Sequence, residues 1–293
     1  MRIGVKLAPQ SVDFPTLARA WAAAGASEAL DSIWSFDHLY PIAGPGPCLE
    51  GWTTLAVLAH RSGSKQIGHL VLAAPYRNAS LLAKMGAVMD HATDGRFVLG
   101  LGAGWHVTEA ADFGLPMPGI GDRMALLEAT LRSLRTLWGS RRSDSWDPPV
   151  SPQALPFEVP DAAVFLPRPR TPGGPPIWLG TSGERVGLRL VARYADGWNF
   201  SGAKGFAADV YERKRDLLRV YAAEIGRDAD EITVTVQVKL TQHRDALRET
   251  AALAIALAKA GCHHLILMVD AGEGPAGVHR AEVLARMVHD SGY

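Results

Sequence analysis

The chain has 293 residues, of which 47% are hydrophobic, and its 30 basic residues balance 30 acidic ones for a formal net charge of +0. This size and composition predict a globular protein with a large core, either one α/β barrel or two ordinary domains. A chain without net charge has no global field that attracts nucleic acid or an anionic membrane. We therefore expect a small-molecule substrate and neither of those partners.

The first residues lead directly into an apolar, strand-like run, without the features of a secretion leader. No apolar run approaches the roughly 20 residues of a membrane helix. The two cysteines, Cys48 and Cys262, are too few and too far apart in sequence for a disulfide framework or a zinc site. These features predict a soluble, cytoplasmic protein without a bound metal.

Short apolar runs alternate along the chain with longer segments of helical periodicity, which is typical of βα units and a parallel sheet. The eight runs are 3–8, 32–36, 67–73, 97–101, 177–180, 197–200, 232–238 and 264–269. Eight such units predict an α/β fold of the (β/α)8 TIM barrel type, with residues 1–293 as a single domain, and favour it over an open sheet.

Two helices show their buried faces in the sequence. After the third run, Asn78 is a candidate N-cap for a helix with a buried stripe of Leu82, Met85 and Met89. A second helix carries an apolar stripe, which consists of Leu127, Leu131, Leu134 and Trp138. Its opposite, polar face consists of Glu128, Arg132 and Arg135.

The segment 139–176 contains ten prolines. It is too long for an ordinary helix-to-strand connection and too rich in proline to be a helix. We interpret it as a proline-rich insertion before strand 5, within which 157–166 could form a short hairpin. Both a lid over the barrel mouth and a passive surface excursion are consistent with it.

The site of a barrel enzyme is built at the C-terminal ends of its strands. The second run is followed by Asp37 and His38. The histidine can move a proton near neutral pH, and the carboxylate could hold a ligand hydroxyl or orient a ring. The alternative is that the pair only caps the next turn. After the third run, Arg77 could serve an anion or form a surface ion pair.

The fourth run leads into Gly100, Gly102, Gly104 and Trp105, where side-chain bulk is absent and a flat group could lie against the backbone. The glycine spacing is not that of a dinucleotide-binding fingerprint. Glu109 follows, and either braces this loop or contacts a ligand.

The fifth run leads into a turn of Gly180, Thr181, Ser182 and Gly183, just before a helix expected to start near Glu184. Small residues, two hydroxyls and a helix N-terminus together predict a phosphate cradle, although an ordinary N-cap has a similar sequence. Trp198 could line a pocket, and Lys204 could meet an anion or water. Adjacent His263 and His264 face opposite ways on a strand and do not form a metal site.

Taken in chain order, these segments resemble the luciferase-like monooxygenase superfamily, in particular its branch that uses the deazaflavin coenzyme F420. The similar segments are 32–38, 76–84, 94–105, 176–180 and 195–199. The resemblance implies a barrel with the ring of a flavin or deazaflavin in its C-terminal mouth and hydride transfer to or from a substrate stacked on it. It also implies that the chain can form a homodimer.

By this resemblance, His38 matches the proposed proton-transferring histidine and Asp37 matches a residue that contacts the ring. The turn of Gly180, Thr181, Ser182 and Gly183 matches the region that holds the phosphate. The other expected cofactor-binding residues are Leu70, Val71, Ala73, Gly102, Gly104 and Trp105. A non-proline cis peptide bond is expected within 70–73.

The chain departs from the sugar-phosphate dehydrogenases of this branch at two positions. They carry a tryptophan four residues after the histidine and a glutamate directly after the Gly-x-Gly, where this chain has Ile42 and Trp105. Neither the substrate of those enzymes nor the acid role of their glutamate can therefore be assigned to this chain. The favoured function is F420-dependent hydride transfer with an unidentified organic substrate. The alternatives are an FMN-dependent monooxygenase that uses oxygen, and a non-catalytic flavin- or deazaflavin-binding protein.

Overall fold

The computed structural model describes residues 1–42, 44–139, 165–201, 208–243 and 245–293. Within them, nine strands form one parallel sheet. The strands are β1 (Arg2–Leu7), β2 (Ser32–Ser35), β3 (Gln66–His69), β4 (Leu72–Ala73), β5 (Phe97–Gly102), β6 (Ile177–Gly180), β7 (Gly197–Ser201), β8 (Thr233–Lys239) and β9 (His264–Val269).

The sheet closes on itself, because β1 pairs with both β2 and β9 while β3 and β4 both pair with β5. Strands β3 and β4 are two halves of one barrel position, so the barrel has the eight positions that the sequence predicts. The (β/α)8 fold is confirmed.

Helices follow the strands around the outside of the barrel. They are α1 (Phe14–Ala26), α2 (Gly51–Leu58), α3 (Ala79–Ala92), α4 (Val107–Asp112), α5 (Ile120–Trp138), α6 (Gly187–Tyr194), α7 (Ala208–Glu224), α8 (Ala246–Lys259) and α9 (Pro275–His289). Short α4 is an addition between β5 and α5, and it lies beside the mouth of the barrel where its first turn carries Glu109. None of the helices in the described ranges is long and apolar enough to cross a membrane.

The third predicted strand is wrong in one respect, because it is interrupted in its middle. The peptide bond between Leu70 and Val71 is cis, within the range expected for it, and separates β3 from β4. The amide of Leu70 donates to Ser35 O at 2.9 Å, and the ammonium of Lys6 donates to Leu70 O at 2.7 Å. These two bonds replace the sheet pairing that the interruption removes. We call residues 70 and 71 the bulge.

The helix signals are confirmed in part. The Asn78 side chain accepts from the amides of Ser80 and Leu81, as expected of an N-cap. Met85, by contrast, is only partly buried. Arg135 was wrongly predicted to lie on the exposed face of its helix. Its guanidinium is 6% exposed and lies 2.6 Å from a carboxylate oxygen of Asp196, where it ties α5 to the start of β7.

Helix α6 begins at Gly187, later than the predicted start near Glu184. The hydroxyl of Thr181 accepts the Gly183 amide at 3.2 Å. It also occupies the space where a Cβ on Gly187 would lie, at 2.1 Å. The chain therefore makes an extra turn over 184–186 before the helix starts.

The lower interior of the barrel is filled by two stacked tryptophans. The rings of Trp34 and Trp178 lie 4.7 Å apart between centroids, at an interplanar angle of 27°. Gly68 and Gly197 provide the room, because a Cβ on either would lie within 3.0 Å of one of these rings. The interior of the barrel below its C-terminal mouth is thus filled by these side chains.

The described part of the proline-rich segment, 165–176, packs along α3. Asp90 accepts from both the amide and the hydroxyl of Thr171, at 2.6 and 2.8 Å, and Lys84 donates to Leu166 O. The rest of the segment, and with it the predicted lid and most of the predicted hairpin, lies outside the described residues, as does Lys204.

Candidate active site

His38 lies at the barrel mouth, directly after β2. Its Nδ1 is 3.0 Å from Oε2 and 3.1 Å from Oε1 of Glu109. Since a carboxylate can only accept, Nδ1 carries the hydrogen and the neutral ring presents the lone pair of Nε2. No hydrogen bond within the described ranges uses Nε2, so this atom is available to a ligand.

Glu109 is the centre of the polar cluster at the mouth. Besides His38, its carboxylate accepts from the amide of Leu39 at 2.8 Å and from the hydroxyl of Tyr76 at 3.0 Å, and the residue is 1% exposed. Burial raises the pKa of this carboxyl, but the bonds from Leu39, His38 and Tyr76 outweigh it and lower the pKa below its usual value. Glu109 is therefore ionised at neutral pH.

The pKa of His38 is lowered, chiefly because the ring is buried. The negative charge of Glu109 and its hydrogen bond oppose this effect, while Lys6 and His106 reinforce it. The ring is thus neutral at pH 7 and can accept a proton at Nε2.

Asp37 contacts the chain just after the bulge. Its carboxylate forms a two-pronged ion pair with Arg77, at 2.6 and 2.7 Å, and accepts from the amide of Ala73 at 2.9 Å. Arg77 also reaches Glu50 at 2.9 Å and is only 14% exposed. The expectation of an ion pair at Arg77 is correct, but the pair with Asp37 is largely buried and not at the surface. The guanidinium forms a buried pair that fixes the wall of the mouth.

The glycines at the ends of β5 and β6 make room for Val71. A Cβ on Gly102 would lie 2.7 Å from one methyl of Val71, and a Cβ on Gly180 would lie 2.8 Å from the other. Val71 is itself only partly buried and therefore faces the mouth. The apolar surface beside these glycines is thus the Val71 side chain. The sequence alone predicts bare glycine backbone at this place. Leu70 belongs to the core cluster that contains Trp34, and Val71 packs against the same cluster.

The lip of the mouth beside His38 is apolar. Trp105 is 59% exposed, and its ring centroid lies 5.4 Å from that of His38. Gly104 turns the chain here with a φ of +72°, a conformation that favours glycine. Val107 and Phe113 on and after α4 are also more than half exposed. A substrate that approaches His38 from this side meets hydrophobic surface.

The turn after β6 directs its carbonyl groups into the protein. Thr181 O accepts from Trp198 Nε1 at 2.9 Å, and Ser182 O accepts from Lys214 Nζ at 2.8 Å. In a trans peptide the N–H points opposite to the C=O, so the Ser182 amide points away from Trp198. This amide has no acceptor among the described residues, and it can hold an anion. Trp198 is fully buried and does not line a pocket.

Lys6 forms the base of the mouth. Its Nζ donates to Leu70 O at 2.7 Å and to Gln237 Oε1 at 2.9 Å. Gln237 in turn donates to Asn199, whose amide donates to Thr235 at 2.7 Å. Polar side chains from β1, β7 and β8 therefore meet below the bulge.

The structure brings Asp37, His38, Val71, Gly102 and Trp105 to one side of the mouth, and the turn at 180–183 ends a nearby strand of the same rim. Sequence reasoning left the role of Glu109 open and did not identify Tyr76, Lys6 or Lys214. Glu109 had a usable signal, because it lies in the first turn of a helix whose cap is His106. Lys6 had one too, as a cation between the apolar residues Val5 and Leu7 of β1.

Two surface cavities, of about 330 and 540 Å³, both include His263, which precedes β9. They therefore lie at the opposite, N-terminal end of the barrel and contain none of the residues above. In the part of the chain that the structure describes, no group of three or more His, Cys, Asp or Glu side chains could hold a metal ion.

Comparison with known proteins gives a family model and several relatives. The family model for luciferase-like monooxygenases matches residues 3–288. An F420-dependent glucose-6-phosphate dehydrogenase of Amycolatopsis mediterranei (strain U-32) is 30% identical over 225 residues, which cover 74% of this chain and 62% of that protein. The match with a second relative of the same name, from Kineococcus radiotolerans, covers 61% of that protein.

Two solved structures share the fold along the whole chain. An F420-dependent secondary alcohol dehydrogenase in complex with an F420–acetone adduct has a TM-score of 0.78 at 15% identity, with 98% of each chain covered. A long-chain alkane monooxygenase has a TM-score of 0.75 at 14% identity, with 100% of this chain and 92% of that chain covered. At these identities the likeness shows the architecture alone.

Proposed function

Because the chain belongs to the luciferase-like monooxygenase family, we propose that it is an oxidoreductase that binds the deazaflavin coenzyme F420 in the barrel mouth. It transfers hydride between that coenzyme and a small, uncharged organic molecule. The observation that carries the proposal is the pair of His38 and Glu109, which presents a free imidazole nitrogen at the mouth. The names of the more similar relatives, F420-dependent dehydrogenases, support the choice of coenzyme.

The residues at the mouth fit a planar ring with a phosphate-bearing tail. Val71 offers an apolar platform, held in place because Gly102 and Gly180 leave it room. The free amide of Ser182, beside Gly183, suits a phosphate oxygen. When bound, the deazaflavin supplies a two-electron hydride donor and acceptor that reacts poorly with oxygen.

His38 moves the proton that accompanies the hydride. When a substrate alcohol is oxidised, the lone pair of Nε2 accepts the hydroxyl proton as the C–H hydrogen leaves with both electrons. In the reverse direction, the protonated ring returns that proton to the carbonyl oxygen. The lowered pKa of His38 favours the accepting role at neutral pH.

Glu109 is a positioning residue for this step. Its carboxylate fixes the tautomer of His38 and balances the positive charge that the ring gains. Tyr76 holds the carboxylate from the other side through its hydroxyl, at 3.0 Å. Asp37 acts more remotely, because its bonds to Arg77 and Ala73 hold β4, the strand that directly follows the bulge.

The apolar lip indicates the class of substrate. Trp105, Val107 and Phe113 present hydrophobic surface beside His38, which suits a ketone, an aldehyde or an alcohol with an apolar body. The exposed Ile42 and Trp105 stand where the sugar-phosphate enzymes of the resemblance carry a tryptophan and a glutamate. A sugar phosphate is therefore not the proposed substrate.

The test is anaerobic oxidation of reduced F420 by a panel of small ketones and aldehydes, followed by the absorbance of the coenzyme. We expect turnover by the wild-type chain. The His38→Ala variant should lose about 100-fold or more of the rate with little change in coenzyme affinity. His279→Ala, on an exposed and distant histidine, is the matched control.

Two other results would replace the proposal. Oxygen consumption by the wild-type chain with reduced FMN, but no reaction with F420, would identify a monooxygenase. Tight coenzyme binding without turnover of any panel member, in both wild type and variant, would favour a non-catalytic binding protein.

A further inference from the structure

Lys6 crosses the interior of the barrel beneath the mouth. It is the next-to-last residue of β1, and its Nζ contacts Leu70 O at the bulge and Gln237 on β8, at 2.7 and 2.9 Å. Nζ also lies 5.7 Å from the ring centroid of Phe36, which in turn packs at 4.8 Å against His38. The ammonium group is therefore part of the same site as the proton-transferring histidine.

Within the described residues, no carboxylate forms an ion pair with Lys6, and both of its hydrogen-bond acceptors are neutral. The hydrogen bonds that continue from Gln237 run through Asn199 and Thr235 to the Trp198 carbonyl, which is also neutral. Burial lowers the pKa of Lys6 to about 8, so the group is still largely protonated at pH 7.

Lys6 is partly buried, and a cation that is largely removed from water without a counter-charge is costly, so proteins pair such groups or use them to bind an anion. A purely structural donor to Leu70 O would not need a charge, because a neutral amide could supply the same bond. The retention of an ammonium group at the base of the mouth points to negative charge on what binds above it.

We infer that Lys6 is the charge partner of the reduced coenzyme ring, an inference that rests on the proposed function. Oxidation of an alcohol breaks its C–H bond and sends the hydrogen with two electrons to the ring, while the hydroxyl proton goes to Nε2 of His38. The substrate becomes a carbonyl compound, and the ring gains one unit of negative charge. Lys6 stabilises that charge, so the site binds the reduced ring better than the oxidised one.

The test compares dissociation constants for oxidised and reduced F420, at pH 7 and without oxygen, in four proteins. These are wild type, Lys6→Gln, Lys6→Arg and the control Lys259→Met, which removes an exposed lysine at the end of α8. Lys6→Gln keeps a donor for Leu70 O but loses the charge. We expect it to weaken binding of the reduced form about 10-fold more than that of the oxidised form.

For a two-electron couple, that 10-fold difference lowers the reduction potential of the bound coenzyme by about 30 mV. Lys6→Arg and Lys259→Met should keep the wild-type ratio of the two constants. If Lys6→Gln does not fold, the wild-type protein still provides a test. The ionisation of the bound, reduced ring, followed by its absorbance, should then occur at lower pH than in free coenzyme.

The inference is overturned if Lys6→Gln weakens both redox forms equally, which is the result expected of a residue that only supports the bulge. It is also overturned if the ring ionises at the same pH bound and free. Either outcome leaves the proposed function intact, because F420 would still bind. Failure of the wild-type chain to bind F420 in either form would instead reject the proposed function, and this inference with it.

Discussion

The imidazole of His38 and the carboxylate of Glu109 form one unit although 70 residues separate them in sequence, with Nδ1 3.0 Å from Oε2. Glu109 is 1% exposed and His38 13% exposed at the side chain, so the buried partner anchors the one that faces the mouth. This hydrogen bond places the hydrogen on Nδ1 of His38 and leaves the lone pair of Nε2 free to accept a proton.

Replacement of Glu109 by glutamine tests this unit. The glutamine amide can donate to Nδ1 and so favour the unproductive tautomer, and we expect the rate to fall about 100-fold or more. Because Glu109 raises the pKa of His38, its loss should also move the acid limb of the pH–rate profile for alcohol oxidation to lower pH. Tyr76→Phe, which keeps the carboxylate, should show a smaller loss. An unchanged rate and profile in Glu109→Gln would rule out the positioning role.

Gly102 and Val71 are expected to depend on each other. Gly102→Ala places a Cβ 2.7 Å from a Val71 methyl, and such overpacking costs about 1–3 kcal/mol of unfolding free energy. The double variant with Val71→Ala should recover most of that loss. Gly121→Ala, with nothing within 4 Å of the new Cβ in a helix, should be neutral or stabilising. Urea unfolding measures all three, and a Gly102→Ala protein as stable as wild type would contradict this packing.

The ion pair between Asp37 and Arg77 should contribute strongly to stability, because both groups are largely buried. Asp37→Asn leaves the guanidinium without its main partner, and we expect a loss of about 3 kcal/mol in the free energy of unfolding. Arg219→Met removes a pair with Asp230 in which both side chains are more than half exposed, and should cost no more than about 1 kcal/mol. Equal effects in the two variants would argue against a structural role for Asp37.

As the pH is lowered, the free energy of unfolding should fall before the pH is low enough to protonate the carboxylates. Burial lowers the pKa of His69 to about 4, whereas in the unfolded chain it is near 6.5. Between these values the unfolded state binds a proton that the folded state does not, so stability falls as pH drops from 6.5 to 4. For His69 the loss approaches about 3 kcal/mol.

Glu50 and Glu109, whose pKa values are lowered, lose their stabilising effect only below about pH 4.5 and do not contribute to the upper part of this window. His69→Gln keeps a donor for Gly51 O and removes the titrating group, so its stability should depend less on pH. The comparison requires urea titrations at several values between pH 7 and 4.5. A wild-type curve that is flat over this range would refute the prediction.

The architecture could be predicted because it follows from local sequence patterns. Three kinds of pattern depend only on residues that lie close together in sequence. They are the eight apolar runs, the Asn78 cap and the stripe from Leu127 to Trp138. Arg135 shows the limit of this reasoning. Its position on a helical wheel is polar, but its partner Asp196 comes from a distant part of the chain and makes burial possible.

The candidate site could likewise be predicted only where its residues follow from local sequence or from the barrel fold. Residues at strand ends, such as His38 and the turn from Gly180, follow from the barrel itself. The role of Glu109 does not, because α4 is an added helix and the contact of Glu109 with His38, after β2, is long-range. The space beside Gly102 was visible in sequence as missing bulk, but only the structure shows that Val71 occupies it.

The most direct test of the account is titration of the purified protein with F420 and, separately, with FMN, followed by each ligand's own fluorescence. We predict micromolar or tighter binding of F420 and at least 10-fold weaker binding of FMN. A preference for FMN, or no binding of either, would contradict the central claim that this mouth holds a deazaflavin for hydride transfer.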